Sequence, residues 1–302
     1  MNNSFISIIS KNYSKIIIPS VSLDLFQTSM LIYNYGKHFS LPQKQTIENF
    51  VENNDINNLQ IGNLQKEILF DIHQNKPLGY VHTFIDNQDS CIQVAITICE
   101  SQKRISVIFR GSESLTDWYY NLTFFKYKIK DNIRVHKGIY NQLFHNNTYQ
   151  KLIIELNILF QKYPDFSIYL SGHSLGAGLS TLFGYLLSYE TEKDINIFSF
   201  ASPRIGNYYW KQSFEIKSNL KHYRITNDYD IIPSFPNFGY YHVGENIRLL
   251  ENSFIIKKNN DYKWYQWEFW VEWYYESILR CWSITEHKCE TYYQRLKKLI
   301  SN

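Results

Sequence analysis

Two hydrophobic periods divide this chain, one of about 3.6 residues and one of about two, and the points where they exchange mark its elements. Residues 23–36 carry apolar side chains at helical spacing and stop at Gly36, which predicts a helix. A second helix follows Pro42 and ends in the Asn-rich stretch 53–58. From Leu78 the period changes, and 80–85, 91–99 and 105–109 read as successive strands, with polar turns at 86–89 and 101–103. A helix over 147–162 leads to a strand at 168–170, and a helix-compatible stretch, 175–189, follows. Residues 195–200 and 222–225 read as further strands, and 240–250 as a hairpin. Strands and helices alternate across 80–250, which predicts one α/β domain spanning 1–302, with 1–75 as an N-terminal helical region. No internal repeat or low-complexity linker interrupts the pattern. With 302 residues, 44% of them apolar, the chain can bury one large core or two small ones.

The passage from the strand at 168–170 to the helix at 175–189 contains the most informative segment, Gly172-His173-Ser174-Leu175-Gly176. A serine between two glycines, entered from a strand and left by a helix, has the layout of a nucleophile elbow. A Cβ at Gly172 or Gly176 would collide with neighbouring backbone in so sharp a turn. The turn lifts the Ser174 hydroxyl off the sheet edge to a helix N-terminus, where N–H groups and the helix dipole favour negative charge.

A serine hydroxyl is a weak nucleophile at neutral pH. It needs an imidazole to take its proton and a carboxylate to orient that imidazole. Downstream of Ser174 the acid is best sought in 223–233, a strand running into a polar turn that holds Asp228 and Asp230. Asp230 is favoured because Ile231, Ile232 and Pro233 would anchor it, whereas Asp228 suits an ordinary turn. For the base, His242 and His287 both stand at plausible distances along the chain, and spacing alone does not separate them. His173 and His136 read as structural. The oxyanion of an acyl-transfer intermediate needs donors: one is the N–H of Leu175, and the other is sought where the strand 105–109 ends at Arg110-Gly111-Ser112. Ser112 could offer its N–H and its hydroxyl, or merely end a strand.

Composition narrows the alternatives. A net charge of +3 without a dense Lys/Arg block gives no footprint for nucleic acid. Of the four cysteines, Cys91 and Cys99 lie on one predicted strand about 26 Å apart when extended, too far to bridge. Reduced thiols and a cytoplasmic setting are therefore expected. Lys11 and Lys15 interrupt the apolar residues near the N-terminus, so neither a signal-peptide core nor a membrane span is read there. Residues 262–282 form an aromatic helical insertion near the C-terminus, suited to a membrane interface, to an acyl cleft or to core packing.

Several motifs now stand in one order: Ile108-Phe109-Arg110-Gly111-Ser112, Asp117-Trp118, Val135-His136-Lys137-Gly138 and the elbow, followed by Phe200-Ala201-Ser202-Pro203-Arg204, Asp230-Ile231-Ile232-Pro233 and Phe238-Gly239-Tyr240-Tyr241-His242. This series resembles the class 3 lipases, the family of the fungal triacylglycerol lipases, over roughly residues 80–250. The resemblance implies an α/β-hydrolase fold with a central, mostly parallel sheet flanked by helices. It implies Ser174 as nucleophile, Asp230 as acid, and Ser112 and Leu175 as the oxyanion hole. It also selects His287 over His242, because Glu286-His287-Lys288-Cys289-Glu290-Thr291-Tyr292 is similar to the family's base-bearing segment, with Glu in place of Asp. A lid is implied at 113–125, with Trp118, Leu122 and Phe125 at helical spacing, unless those side chains are packed permanently over the core.

The expected activity is hydrolysis of lipid acyl esters through an acyl-enzyme, with no metal or organic cofactor. Contact with a membrane or lipid-droplet surface would be peripheral. Two other readings remain: an esterase or thioesterase acting on small soluble substrates, and a catalytically silent scaffold acting through protein contacts.

Overall fold

A computed structural model describes residues 20–75, 78–87, 92–112, 125–257, 266–274 and 283–301. Three helices come first: α1 (Val21–Leu31), α2 (Ile47–Asn53) and α3 (Asn63–Asn75). The antiparallel strands β1 (Tyr80–Asn87), β2 (Ile92–Cys99) and β3 (Arg104–Phe109) follow. A separate hairpin, β4 (Lys126–Lys130) with β5 (Ile133–His136), leads into α4 (Lys137–Phe144) and α5 (Thr148–Lys162). Then come β6 (Ser167–His173), α6 (Leu175–Leu187), β7 (Ile195–Phe200), α7 (Tyr208–Glu215) and β8 (Leu220–Asn227). The chain continues with the pair β9 (Glu245–Leu249) and β10 (Phe254–Lys257), then α8 (Trp267–Tyr274) and α9 (Cys289–Ser301).

All but the β4–β5 hairpin join one eight-stranded sheet in the order β1-β2-β3-β6-β7-β8-β9-β10. Its middle pairings, from β3–β6 to β8–β9, are parallel, and its margins are antiparallel. Alternation along the strands sends side chains to two cores. Ile105, Val107, Ile168, Leu170, Ile195 and Ile197 meet the faces of α4 to α7. Ile108, Phe198, Phe200, Ile225 and Ile247 meet α1, α2, α3 and α9. A sheet buried on both faces needs apolar residues at nearly every strand position, and β2 and β3 are buried throughout.

Several elements differ from the sequence expectation. The first helix stops at Leu31, and Gly36 instead supplies the left-handed residue of the following turn, at φ 77°, where its N–H bonds the Phe39 carbonyl. The helix α3 falls within the expected helical region 1–75, where the sequence reading gave it no bounds of its own; Leu64, Ile68, Leu69 and Ile72 lie on its buried face. The hairpin lies at 245–257 rather than 240–250. Tyr240 and Tyr241 are buried in non-strand backbone, and Gly244 turns at φ 73° against His222, where a side chain would clash. Of the aromatic stretch 262–282, the described part holds one helix, α8; Trp118 and Leu122 lie outside the described residues.

Candidate active site

The elbow is built by close backbone approach. A Cβ on Gly172 would lie 2.4 Å from the Gly176 carbonyl carbon, and one on Gly176 would lie 2.3 Å from the Phe109 carbonyl oxygen. Strand β6 can therefore turn into α6 beneath the end of β3 only with glycine at both positions. Ser174 takes the strained corner at φ 57°, ψ −119°, and its N–H is held by the Phe200 carbonyl at 2.9 Å.

Three side chains distant in sequence converge there. Ser174 Oγ lies 3.0 Å from His287 Nε2. His287 Nδ1 lies 3.1 and 3.0 Å from the two carboxylate oxygens of Asp230. With its Nδ1 proton donated to Asp230, the imidazole leaves Nε2 free to accept from Ser174. Asp230 is tied down further. Its Oδ1 accepts from the Ile232 N–H at 2.9 Å, and its Oδ2 accepts from the Tyr292 hydroxyl at 2.7 Å. That hydroxyl in turn accepts from the Asn227 N–H at 2.8 Å, while the Asn227 amide reaches the Glu286 carbonyl at 2.8 Å. The end of β8 and the turn before α9 are thus stitched together around one carboxylate. Serine, histidine and aspartate are each 1% exposed.

The other candidates go elsewhere. Asp228 faces Arg248, 3.8 Å away, and His242 Nε2 donates to the Pro233 carbonyl at 2.7 Å. His136 caps α4, its Nδ1 accepting from the Ile139 N–H, and burial lowers its pKa to about 4. His173, read from the sequence as structural, packs against the catalytic histidine candidate itself. Its ring packs 4.7 Å from that of His287, and its Nδ1 lies 3.7 Å from Cys289 Sγ. Burial first, and the neighbouring His287 second, hold His173 well below the usual imidazole pKa. It stays neutral, so no second cation competes with a charged His287.

The turn after β3 abuts the elbow. A Cβ on Gly111 would come 2.6 Å from the His173 carbonyl oxygen, and Ser112, half-buried, is the next residue. Leu175 opens α6, where first-turn N–H groups have no intrahelical acceptor. Phe125 is 70% exposed. Tyr292, which closes the segment 286–292, received no role from the sequence; it stands in the first turn of α9, five residues beyond His287, and burial followed by the charge of Asp230 pushes its pKa well up. A protonated phenol is the form that can donate to the carboxylate.

This arrangement can remove a proton from an alcohol and hold the resulting charge, as acyl transfer requires. Residues 106–240 match the family Lipase (class 3). The chain resembles the class 3 lipases. It is 30% identical over 163 residues to a lipase of Rhizomucor miehei, covering 51% of this chain and 44% of that protein. It is 23% identical over 194 residues to phospholipase A1-II 1 of Oryza sativa subsp. indica, covering 56% and 49%. The chain thus spans about half the length of the curated relatives it matches. The solved lipase of Rhizopus microsporus var. chinensis superposes with a TM-score of 0.64 at 18% identity, over 91% of this chain and 89% of that one. The class 3 lipase-like chain therefore has the α/β-hydrolase fold of its structural neighbours.

Proposed function

We propose that this protein is a serine carboxylic-ester hydrolase that cleaves acyl esters of lipids. The observation that carries the reading is the continuous relay from Ser174 through His287 to Asp230, assembled on a strained elbow. Ser174 Oγ attacks the ester carbonyl as its proton passes to His287 Nε2, and Asp230 stabilises the imidazolium. The tetrahedral oxyanion is held by the Leu175 N–H together with the N–H or hydroxyl of Ser112. His287 then protonates the departing alcohol, leaving an acyl group on Ser174. Water, deprotonated by the same imidazole, attacks the acyl group; the bond to Ser174 Oγ breaks, His287 returns the proton to that oxygen, and the fatty acid leaves. The scheme uses no metal or organic cofactor.

Lipid esters are favoured over soluble ones by the similarity to a lipase and a phospholipase A1, and by the exposed ring of Tyr229, next to Asp230 in the chain. Because Ser174 is buried, an ester reaches it only after part of the site wall has moved. Turnover of short- and long-chain p-nitrophenyl esters, measured below and above the micellar threshold, tests the substrate class. A rise in rate on long-chain aggregates is expected. Turnover confined to short monomeric esters, with no rise at the threshold, would instead assign a soluble-ester hydrolase.

A further inference from the structure

The helix α8 turns its apolar positions outward. Trp267, Trp270, Val271 and Tyr274 follow the i, i+3, i+4, i+7 spacing that buries one face of a globular helix, yet all four are exposed, Trp267 at 69%. Trp270 approaches Phe238, which is itself 57% exposed, with ring centroids 6.2 Å apart. The next residue, Gly239, adjoins the β4–β5 hairpin: a Cβ there would lie 3.3 Å from Lys126 Nζ. Lys126 caps the Tyr240 ring at 4.0 Å, and the Tyr240 hydroxyl bonds the carbonyl of the exposed Phe125. Beyond Lys126 on the same face of the hairpin, Lys128 and Arg134 stand directly opposite each other. Like charges in that register oppose pairing of the strands. Lys126, Lys128, Lys130, Arg134 and Lys137 have no ion-pair partner among the described residues.

An outward aromatic face therefore meets, through Phe238, Gly239 and Lys126, a hairpin whose cations outnumber its one acid, Asp131. The aromatic face is tied through the chain to the segments that carry Asp230 and His287. The segment bearing Phe238 follows Asp230 in the chain, and the Ser283 N–H, four residues before His287, bonds the Tyr229 carbonyl.

We infer that α8, Phe238 and the β4–β5 hairpin form a docking surface for an anionic lipid membrane. Phosphate headgroups would meet Lys128 and Arg134, and indole and phenol rings would sit at headgroup depth. Charge complementarity selects this occupant. A second copy of the chain in a two-fold contact would set these cations against themselves. The inference rests on the proposed lipid-ester hydrolysis and names the surface from which substrate is drawn.

The test is co-sedimentation of the full chain with phosphatidylcholine vesicles, with and without phosphatidylglycerol, for the wild type and for Lys128→Gln/Arg134→Gln and Trp270→Ser. The wild type should favour the anionic vesicles, and raised salt should weaken its binding. The double variant should bind them roughly tenfold or more weakly. Trp270→Ser should weaken binding to both kinds of vesicle. All variants should hydrolyse a soluble short-chain ester at the wild-type rate, which shows that they are folded. Equal binding to both vesicles, or anionic binding unchanged in the double variant, would overturn the proposal. So would a dimer that the double substitution dissolves, without vesicle binding. A wild type that binds as predicted but turns over no ester would refute the hydrolase reading and leave the surface standing.

Discussion

Asp230 accepts from His287, from the Ile232 N–H and from the Tyr292 hydroxyl, so its negative charge is both stabilised and aimed. Tyr292→Phe removes one of these donors while leaving the ring that packs near His173 and Phe26. A hydrogen bond to a charged group contributes about 1.5–3 kcal/mol, so kcat on a soluble ester should fall roughly tenfold or more, with KM unchanged. Steady-state kinetics check this, and an unaltered kcat would show that the phenol does not orient the acid. A hydrogen-bonded Ser–His pair alone does not make a site. Ser199 Oγ lies 2.7 Å from His222 Nε2, closer than the corresponding atoms of Ser174 and His287, yet that pair is buried in the sheet and no carboxylate among the described residues bonds the imidazole. Asp230 could be read from sequence because Ile231, Ile232 and Pro233 announce a buried turn. His287 required the family resemblance, since nothing local distinguishes it from His242. Tyr292 carried little signal, because a tyrosine on an amphipathic helix reads as core until the fold brings a carboxylate to it.

At the scale of elements, the junction of β6 and α6 is the most constrained. Gly172→Ala would set a methyl group 2.4 Å from the Gly176 carbonyl carbon and 2.7 Å from the Phe109 oxygen, backbone atoms that cannot step aside singly. The elbow would have to open, at a cost of about 3 kcal/mol or more in stability and with loss of turnover. Denaturant unfolding of the variant measures the first, and an unchanged midpoint would mean that the turn is looser than described. This element was legible because its geometry demands particular residues in consecutive positions. Strands β3 and β7 were equally legible, as short runs rich in Ile, Val and Phe and broken only by Ser106 in the one and by Asn196 and Ser199 in the other. The short helices α4 and α7 and the β4–β5 hairpin were not: their polar, solvent-facing positions dilute the period over so few residues. The hairpin near the C-terminal end of the sheet was displaced because Tyr240 and Tyr241, which read as strand, are buried through non-strand contacts. Tyr241 bonds back to Gly206.

The whole molecule carries buried histidines that fold neutral. Burial lowers His136 to about 4 and, with the Arg224 charge added, lowers His222 to about 3; His173 is also held well below 6.5. In the unfolded chain each titrates near 6.5, so the unfolded state binds more protons in acid. Stability is therefore full above about pH 6.5 and declines as pH falls toward the folded values, by up to about 1.4 kcal/mol per pH unit for each histidine. Denaturant midpoints at neutral pH and at about pH 5 should differ in that direction. A flat profile would mean that these rings are protonated in the folded protein. No helix among the described residues is long and apolar enough to cross a membrane. Central to everything proposed is that the Ser174 hydroxyl is the nucleophile. Peptide mapping by mass spectrometry after exposure to a fluorophosphonate locates the phosphonylated residue. The expected result is a single adduct on Ser174 that forms in the wild type, slows severely in His287→Ala and is absent in Ser174→Ala; an adduct at another residue, or none in folded wild-type protein, would contradict it.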